Sequence, residues 1–244
     1  MFHRSSSIGL FILSLSLGSI AQTLEYSPLG AAVKPGEHPH LPTSLQSQLP
    51  KDAVPQLDAK THMNVSGEEV VVYSLEEHDM DSHIAVFREG KLSNDFSLTA
   101  LSNPKDPVEI DDRYVFFSFL EVPTQTSSAV VFSFHNYGDG AGTVLVVIAP
   151  SGEMYKVAFS FGGQQTQLKY SAKTYTAELW DASGEGGCVW CEQPYDVSRL
   201  QWKYGKLVTV SKFRARHKLA PSPMSDRPIL LIKPPSPHVF SVQH

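Results

Sequence analysis

Between Glu69 and Val210 the apolar residues fall on alternate positions or in short unbroken runs, and turn-forming residues interrupt them repeatedly. Glu69-Val70-Val71-Val72-Tyr73-Ser74-Leu75 is rich in β-branched side chains, and Tyr155-Lys156-Val157-Ala158-Phe159-Ser160-Phe161 alternates cleanly. Tyr114–Leu120, Ala129–Phe134, Thr143–Ala149, Gln167–Tyr170, Thr176–Trp180, Leu200–Trp202 and Leu207–Val210 continue the series. No stretch of residues 66–217 keeps a 3.6-residue period over three turns. Short strands joined by Gly-, Pro- and Asn-containing turns at such spacing predict an all-β fold of antiparallel sheets, arranged as a sandwich, a barrel or an incomplete propeller-like body.

The flanks differ in character. Residues 1–21 have a cationic start, an apolar run from Ile8 to Ile20 and small residues at Ser19 and Ala21, the pattern of a secretory signal peptide. A secreted or periplasmic location follows as an expectation, with the mature chain starting near Gln22. Residues 22–65 carry Pro28, Pro35, Pro39, Pro42, Pro50 and Pro55 among few large apolar groups, which predicts a disordered Pro-rich linker. A β-rich domain is expected over 66–217. Residues 218–244 form a second Pro-rich tail, in which Ile229-Leu230-Leu231-Ile232 could dock as an edge strand.

The formal net charge is −5, or about −6 once Arg4 leaves with the signal. Phosphate neutralisation supplies most nucleic-acid affinity, so this balance argues against such a partner. The basic cluster Lys212–Lys218 is short enough to read as a solvated strand end. After residue 21 no run approaches the ~18 apolar residues of a membrane span.

Two phrases point toward a family. Phe132-Ser133-Phe134-His135-Asn136-Tyr137-Gly138-Asp139-Gly140-Ala141-Gly142-Thr143-Val144-Leu145-Val146-Val147 resembles a blade segment of FG-GAP or VCBS-like β-propeller repeats of secreted bacterial proteins. Leu200-Gln201-Trp202-Lys203-Tyr204-Gly205-Lys206-Leu207-Val208 is similar to hairpins of the same repeats. The resemblance implies an acidic, Gly-rich loop that holds calcium. Here His135, Tyr137 and Thr143 stand where the family places acids, and one carboxylate cannot satisfy a cation that takes six or more oxygens. Gly138-Asp139-Gly140 therefore reads as a turn, and no metal or other cofactor is expected.

Cys188-Val189-Trp190-Cys191 holds the only two cysteines, in a Gly-rich loop flanked by Glu185 and Glu192. Nearby carboxylates raise a thiol pKa, and an oxidising compartment favours a cystine, so a structural Cys188–Cys191 disulfide is the expectation. Glu76–His83 packs four acids with His78 and His83, and with His135 and Asp111-Asp112 these are the residues available for metal or acid–base chemistry. Without a matching ligand motif they read as solvated loops. Aromatics crowd into residues 170–204; Trp180 and Trp202 alternate with polar neighbours as inward-facing residues would. Trp190, Tyr195 and Tyr204 are the candidate contact residues for a protein or glycan partner. The function these features favour is a secreted, non-enzymatic binding or envelope-associated module without catalytic residues. The alternative is an extracytoplasmic thiol–disulfide oxidoreductase using Cys188 and Cys191.

Overall fold

The computed structural model describes residues 23–27, 38–63, 67–75, 78–98, 115–136, 142–182, 191–219 and 227–234. Within them the fold is all-β, built from three sheets in which antiparallel pairing dominates. One sheet is a four-strand meander of β2 (Ala53–Thr61), β3 (Glu68–Leu75), β4 (His78–Arg88) and β5 (Lys91–Ser97). A second meander holds β6 (Val115–Pro123), β7 (Ser128–Asn136), β8 (Gly142–Ser151) and β9 (Met154–Gln164). The third sheet contains β1 (Thr23–Ser27), β10 (Gln167–Ser171), β11 (Thr176–Ala182), β12 (Tyr195–Lys203), β13 (Lys206–Arg214) and β14 (Ile229–Lys233), in the order β1-β14-β10-β11-β12-β13. None of the three closes on itself among the described residues.

Alternation along the middle meander explains how the sheets stack. Val130, Phe132, Phe134, Val144, Val146 and Ile148 face the β2–β5 sheet and pack on Val70, Val72, Ile84 and Val86. The intervening Ala129, Val131, Leu145, Val147 and Ala149 face the opposite way, onto Leu168, Tyr170, Leu179, Leu200, Ile229 and Leu231. A strand with sheets on both sides buries both of its faces, which is why Val144–Ala149 reads as an unbroken apolar run. Each fully buried Val, Leu, Ile or Phe contributes about 1.5–3 kcal/mol. The product is a three-layer sandwich with the β6–β9 sheet at its centre.

Part of the expected linker is folded. Leu45, in the short helix α1 (Thr43–Gln46), packs with Leu49 and Ala53 against Val71, Tyr73, Ala85 and Phe87 on the outer face of the β2–β5 sheet. That face is apolar and needs a cover. Pro42, Pro50 and Pro55 are tolerated because each sits where a missing N–H costs little. Pro42 precedes α1 and its carbonyl accepts the N–H groups of Leu45 and Gln46. The Pro50 carbonyl accepts the Ala53 N–H at 3.1 Å. Pro55 lies on the edge strand β2 at a register shift.

The tail differs too. β14 does not take an edge; it lies between β1 and β10 and runs parallel to β10. Its alternate residues Ile229 and Leu231 are buried in the core, and β1 occupies the edge instead. β6 is an edge strand of the middle meander, with Leu120 and Val122 packed toward the third sheet and Phe117 and Phe119 partly buried toward the first.

Candidate functional site

The β12–β13 hairpin ends in a two-residue loop, Tyr204-Gly205, between the paired Lys203 and Lys206. Both residues have positive φ, 52° and 69°, as a tight hairpin of this hand requires. Glycine meets that demand freely, and a Cβ at Gly205 would lie 2.9 Å from the Lys156 ammonium. Tyr204 meets it as a bulky residue and is fully exposed, at 100%.

Behind the loop, Trp202 is half-buried against the core beneath it. Its indole N–H donates to the Tyr170 hydroxyl at 2.8 Å, and that hydroxyl donates to the Pro123 carbonyl at 2.6 Å. Burial pushes the Tyr170 hydroxyl up to about 12, so it stays protonated and able to donate. The chain of bonds pins the hairpin to the end of β6. From there the turn Thr124–Ser127 closes on itself: the Thr124 N–H donates to the Ser127 carbonyl at 2.7 Å, and the Ser127 N–H donates to Thr124 Oγ1 at 3.0 Å. A cleft of about 300 Å³ opens between these parts, lined by Thr124, Gln125, Thr126, Ser127, Ala149, Pro150, Trp202, Tyr204 and Gly205. No lining residue carries a formal charge. The arrangement offers an aromatic surface, hydroxyls and an amide, without a carboxylate, imidazole or thiol to do acid–base or nucleophilic work.

The other expected contact residues are elsewhere. Tyr195 begins β12 while Tyr204 follows its end, so nine residues at ~3.3 Å each separate them by roughly 30 Å. Tyr195 is fully buried with Ala182, against Trp180, Ala215 and Leu219, and is not a surface residue. Burial, reinforced by Asp181, pushes its hydroxyl up to about 12. Trp190 and Cys188 lie outside the described residues. Cys191 lies within them, and no free cysteine is found there. Two residues on, Gln193 bridges to Leu219 through both backbone bonds, at 3.0 and 2.9 Å.

Trp180 does not face inward. Leu179 takes the core position, 2% exposed, and the next residue along a strand must point the other way. Trp180 therefore lies on the outer face, with the Lys169 ammonium 3.8 Å from its ring centroid and its N–H donating to Glu178 at 3.3 Å. Arg199 pairs with the same Glu178 at 3.2 Å and lies over Phe213 at 5.0 Å.

Of the histidines considered for metal or acid–base chemistry, His83 and His135 do not converge. His83 stacks on Tyr73 at 4.9 Å on the outer face of the β2–β5 sheet and hydrogen-bonds with Asp95 at 3.0 Å. Asp95 also accepts from the Tyr73 hydroxyl at 2.6 Å. Burial raises the Asp95 pKa, but the bonds from His83 and Tyr73 and the His83 charge outweigh it, leaving a net lowering. His135 is buried on β7 of the middle sheet, bonded to Thr143 at 2.8 Å. The side chains of His78 and Asp81, and all of Asp111-Asp112 and Gly138-Asp139-Gly140, lie outside the described residues. Among the described residues no three His, Cys, Asp or Glu groups are placed to hold a metal ion.

Sequence reasoning misses one half-buried acid and one buried one. Asp181 accepts from Thr166 Oγ1 at 2.9 Å and from the Gln164 N–H at 3.0 Å, joining β9 to β11. Burial pushes it up to about 6. Gly163 is the sequence trace of this contact, because a Cβ there would stand 2.2 Å from Asp181 Oδ1. Glu68 accepts from the Tyr155 hydroxyl and from Thr61, tying the first sheet to the second. It borders a second, charged cleft of about 470 Å³ with Lys60, His62, Glu69 and Glu89.

No protein-family model matches the chain, and no curated protein matches it at a significant level. No helix among the described residues is long and apolar enough to cross a membrane.

Proposed function

We propose that this chain is a secreted or periplasmic, non-enzymatic β-rich binding module whose ligand contact is the cleft at the tip of the β12–β13 hairpin. The observation that carries this reading is the pairing of a fully exposed Tyr204 with a rigidly held Trp202 over an uncharged cleft. An aromatic side chain held out in water sacrifices the burial that usually justifies it, and aromatics with neutral polar neighbours are the composition of contact surfaces. The cleft contains no group that could activate a nucleophile or carry a proton at neutral pH.

The Cys188–Cys191 pair serves in this reading as a clip that orders the loop entering β12. Cys191 precedes β12, at the far end of that strand from the cleft. Non-reducing peptide mapping is expected to recover the two cysteines in one linked peptide, and rapid exchange with glutathione would favour the oxidoreductase instead.

The test is retention. Glycan and envelope-peptide arrays probed with the chain from Gln22 onward should capture it unaltered, and Tyr204→Ala should release it. Capture that Tyr204→Ala leaves intact, or chemical turnover of a captured ligand, contradicts the proposal.

A further inference from the structure

We infer that the hairpin-tip cleft binds an uncharged pyranose sugar, an inference that rests on the binding reading above and names the ligand class of that same site. The first support is the conflict at Tyr204 between residue and backbone. A two-residue turn with positive φ at both positions suits Asn, Asp or Gly, and a tyrosine there works against local preference. Glu89, in the equivalent Glu89-Gly90 loop, and Tyr175 also have positive φ, at 52° and 53°; Glu89 is a charged side chain that keeps its hydration there, and Tyr175 is half-buried and gains packing. Tyr204 gains none from the protein. Where local preference is violated without a structural return, a contact made with something else is the natural account.

The cleft's chemistry narrows that contact. A pyranose presents a C–H face that stacks on an aromatic ring and a rim of hydroxyls that both donate and accept. Tyr204 supplies the ring, and Gln125, Thr126 and Ser127 supply an amide and hydroxyls with the same dual capacity. A volume of about 300 Å³ is at the lower limit of small-molecule pockets, the scale of one or two sugar rings. With no carboxylate or ammonium in the lining, the cleft itself offers a charged ligand no partner; the nearest ammonium is that of Lys156, outside the lining and beside Gly205.

A proline-rich peptide is the main competitor for an aromatic-lined groove. Its carbonyls only accept, so it would use the donors of Gln125, Thr126 and Ser127 but leave their acceptor oxygens unmatched, and the indole N–H is already given to Tyr170. The geometry therefore favours the sugar.

Two-dimensional amide and indole NMR of the chain from Gln22 onward tests this, with cellotetraose, chitotetraose, maltotetraose and a poly-proline peptide as probes. The expected result is saturable shifts at Thr126, Trp202 and Gly205 with at least one tetrasaccharide, unchanged by salt because no counterions are released. Tyr204→Ala should weaken binding several-fold to roughly tenfold and Tyr204→Trp should restore it, the loss and return of one stacking surface. The exposed position lets both variants fold, which their unchanged spectra away from the cleft would verify. Shifts with the peptide alone would overturn the sugar assignment while keeping the cleft as a binding site. Strong salt dependence would transfer recognition to Lys156 and overturn the uncharged class. No shift in the cleft with any probe would overturn the sugar, and array capture insensitive to Tyr204→Ala would remove the binding reading as well.

Discussion

The Tyr170 hydroxyl stands between Trp202 and Pro123, accepting the indole N–H at 2.8 Å and donating to the Pro123 carbonyl at 2.6 Å. One oxygen thus joins the hairpin of the third sheet to the edge strand of the middle one. It also fixes the ring that floors the cleft.

Tyr170→Phe should keep the packing of the ring and lose both bonds. Leaving a donor and an acceptor without partners costs about 1–3 kcal/mol, to be read from urea denaturation. The Trp202 emission should broaden or shift as the indole loses its anchor. Unchanged stability and emission would show that the bond does not hold the cleft.

Gly163→Ala should destabilise the chain by about 1–3 kcal/mol. The new methyl would stand 2.2 Å from Asp181 Oδ1 and 2.5 Å from the Phe161 ring, and the carboxylate is held by Thr166 and Gln164. Because the clash is with a side chain, Asp181→Ala should relieve part of it. A thermal-melt double-mutant cycle measures the coupling, and strictly additive losses would contradict the contact.

Acidification should stabilise the fold through Asp181. Its folded pKa is raised from 3.8 to about 6, so the folded state binds the proton more tightly. The contribution is fully present below pH ~3.8 and is lost as pH rises through about 6, an effect on the order of 2–3 kcal/mol. Asp95 has the opposite sign: its pKa is lowered, so its contribution holds above the ordinary carboxylate range and disappears as pH falls through the lowered folded value. Denaturation of wild type and Asp181→Asn between pH 4 and 7.5 separates the two. The variant should lack the gain on acidification, and parallel curves would contradict the burial of Asp181.

The segment before β2 should behave as core. Leu45→Ala removes a side chain only 2% exposed and should cost about 2–5 kcal/mol. An indifferent melt would return residues 38–52 to the status of linker.

How much of this was legible depends on what periodicity carries. Alternation in Tyr155–Phe161 and the unbroken Val144–Ala149 announced strands, because that signal is local. Alternation says which residues share a face; it does not say what covers that face. Tyr195 and Val197 share the outer face of their sheet, yet Ala215 and Leu219 from beyond β13 help to bury Tyr195, a contact twenty or more residues away. The prolines of the lead were discounted for the same reason. Pro42, Pro50 and Pro55 look like breakers until the apolar outer face of Val71, Tyr73, Ala85 and Phe87 shows what the segment covers. Asp181 carries no local sign of burial at all, and only Gly163 records its presence. Of the candidate contact residues, Tyr204 is placed at a surface cleft, Tyr195 is not, and Trp190 lies outside the described residues.

The central claim is that contact is made at the Tyr204 end of β12 and not at the Tyr195 end. Calorimetric titration of wild type, Tyr204→Ala and Tyr195→Phe with the tetrasaccharide that gives the strongest NMR shifts tests it most directly. The account predicts several-fold to roughly tenfold weaker binding for Tyr204→Ala and wild-type affinity for Tyr195→Phe. Full affinity in the first variant with a loss in the second would contradict it.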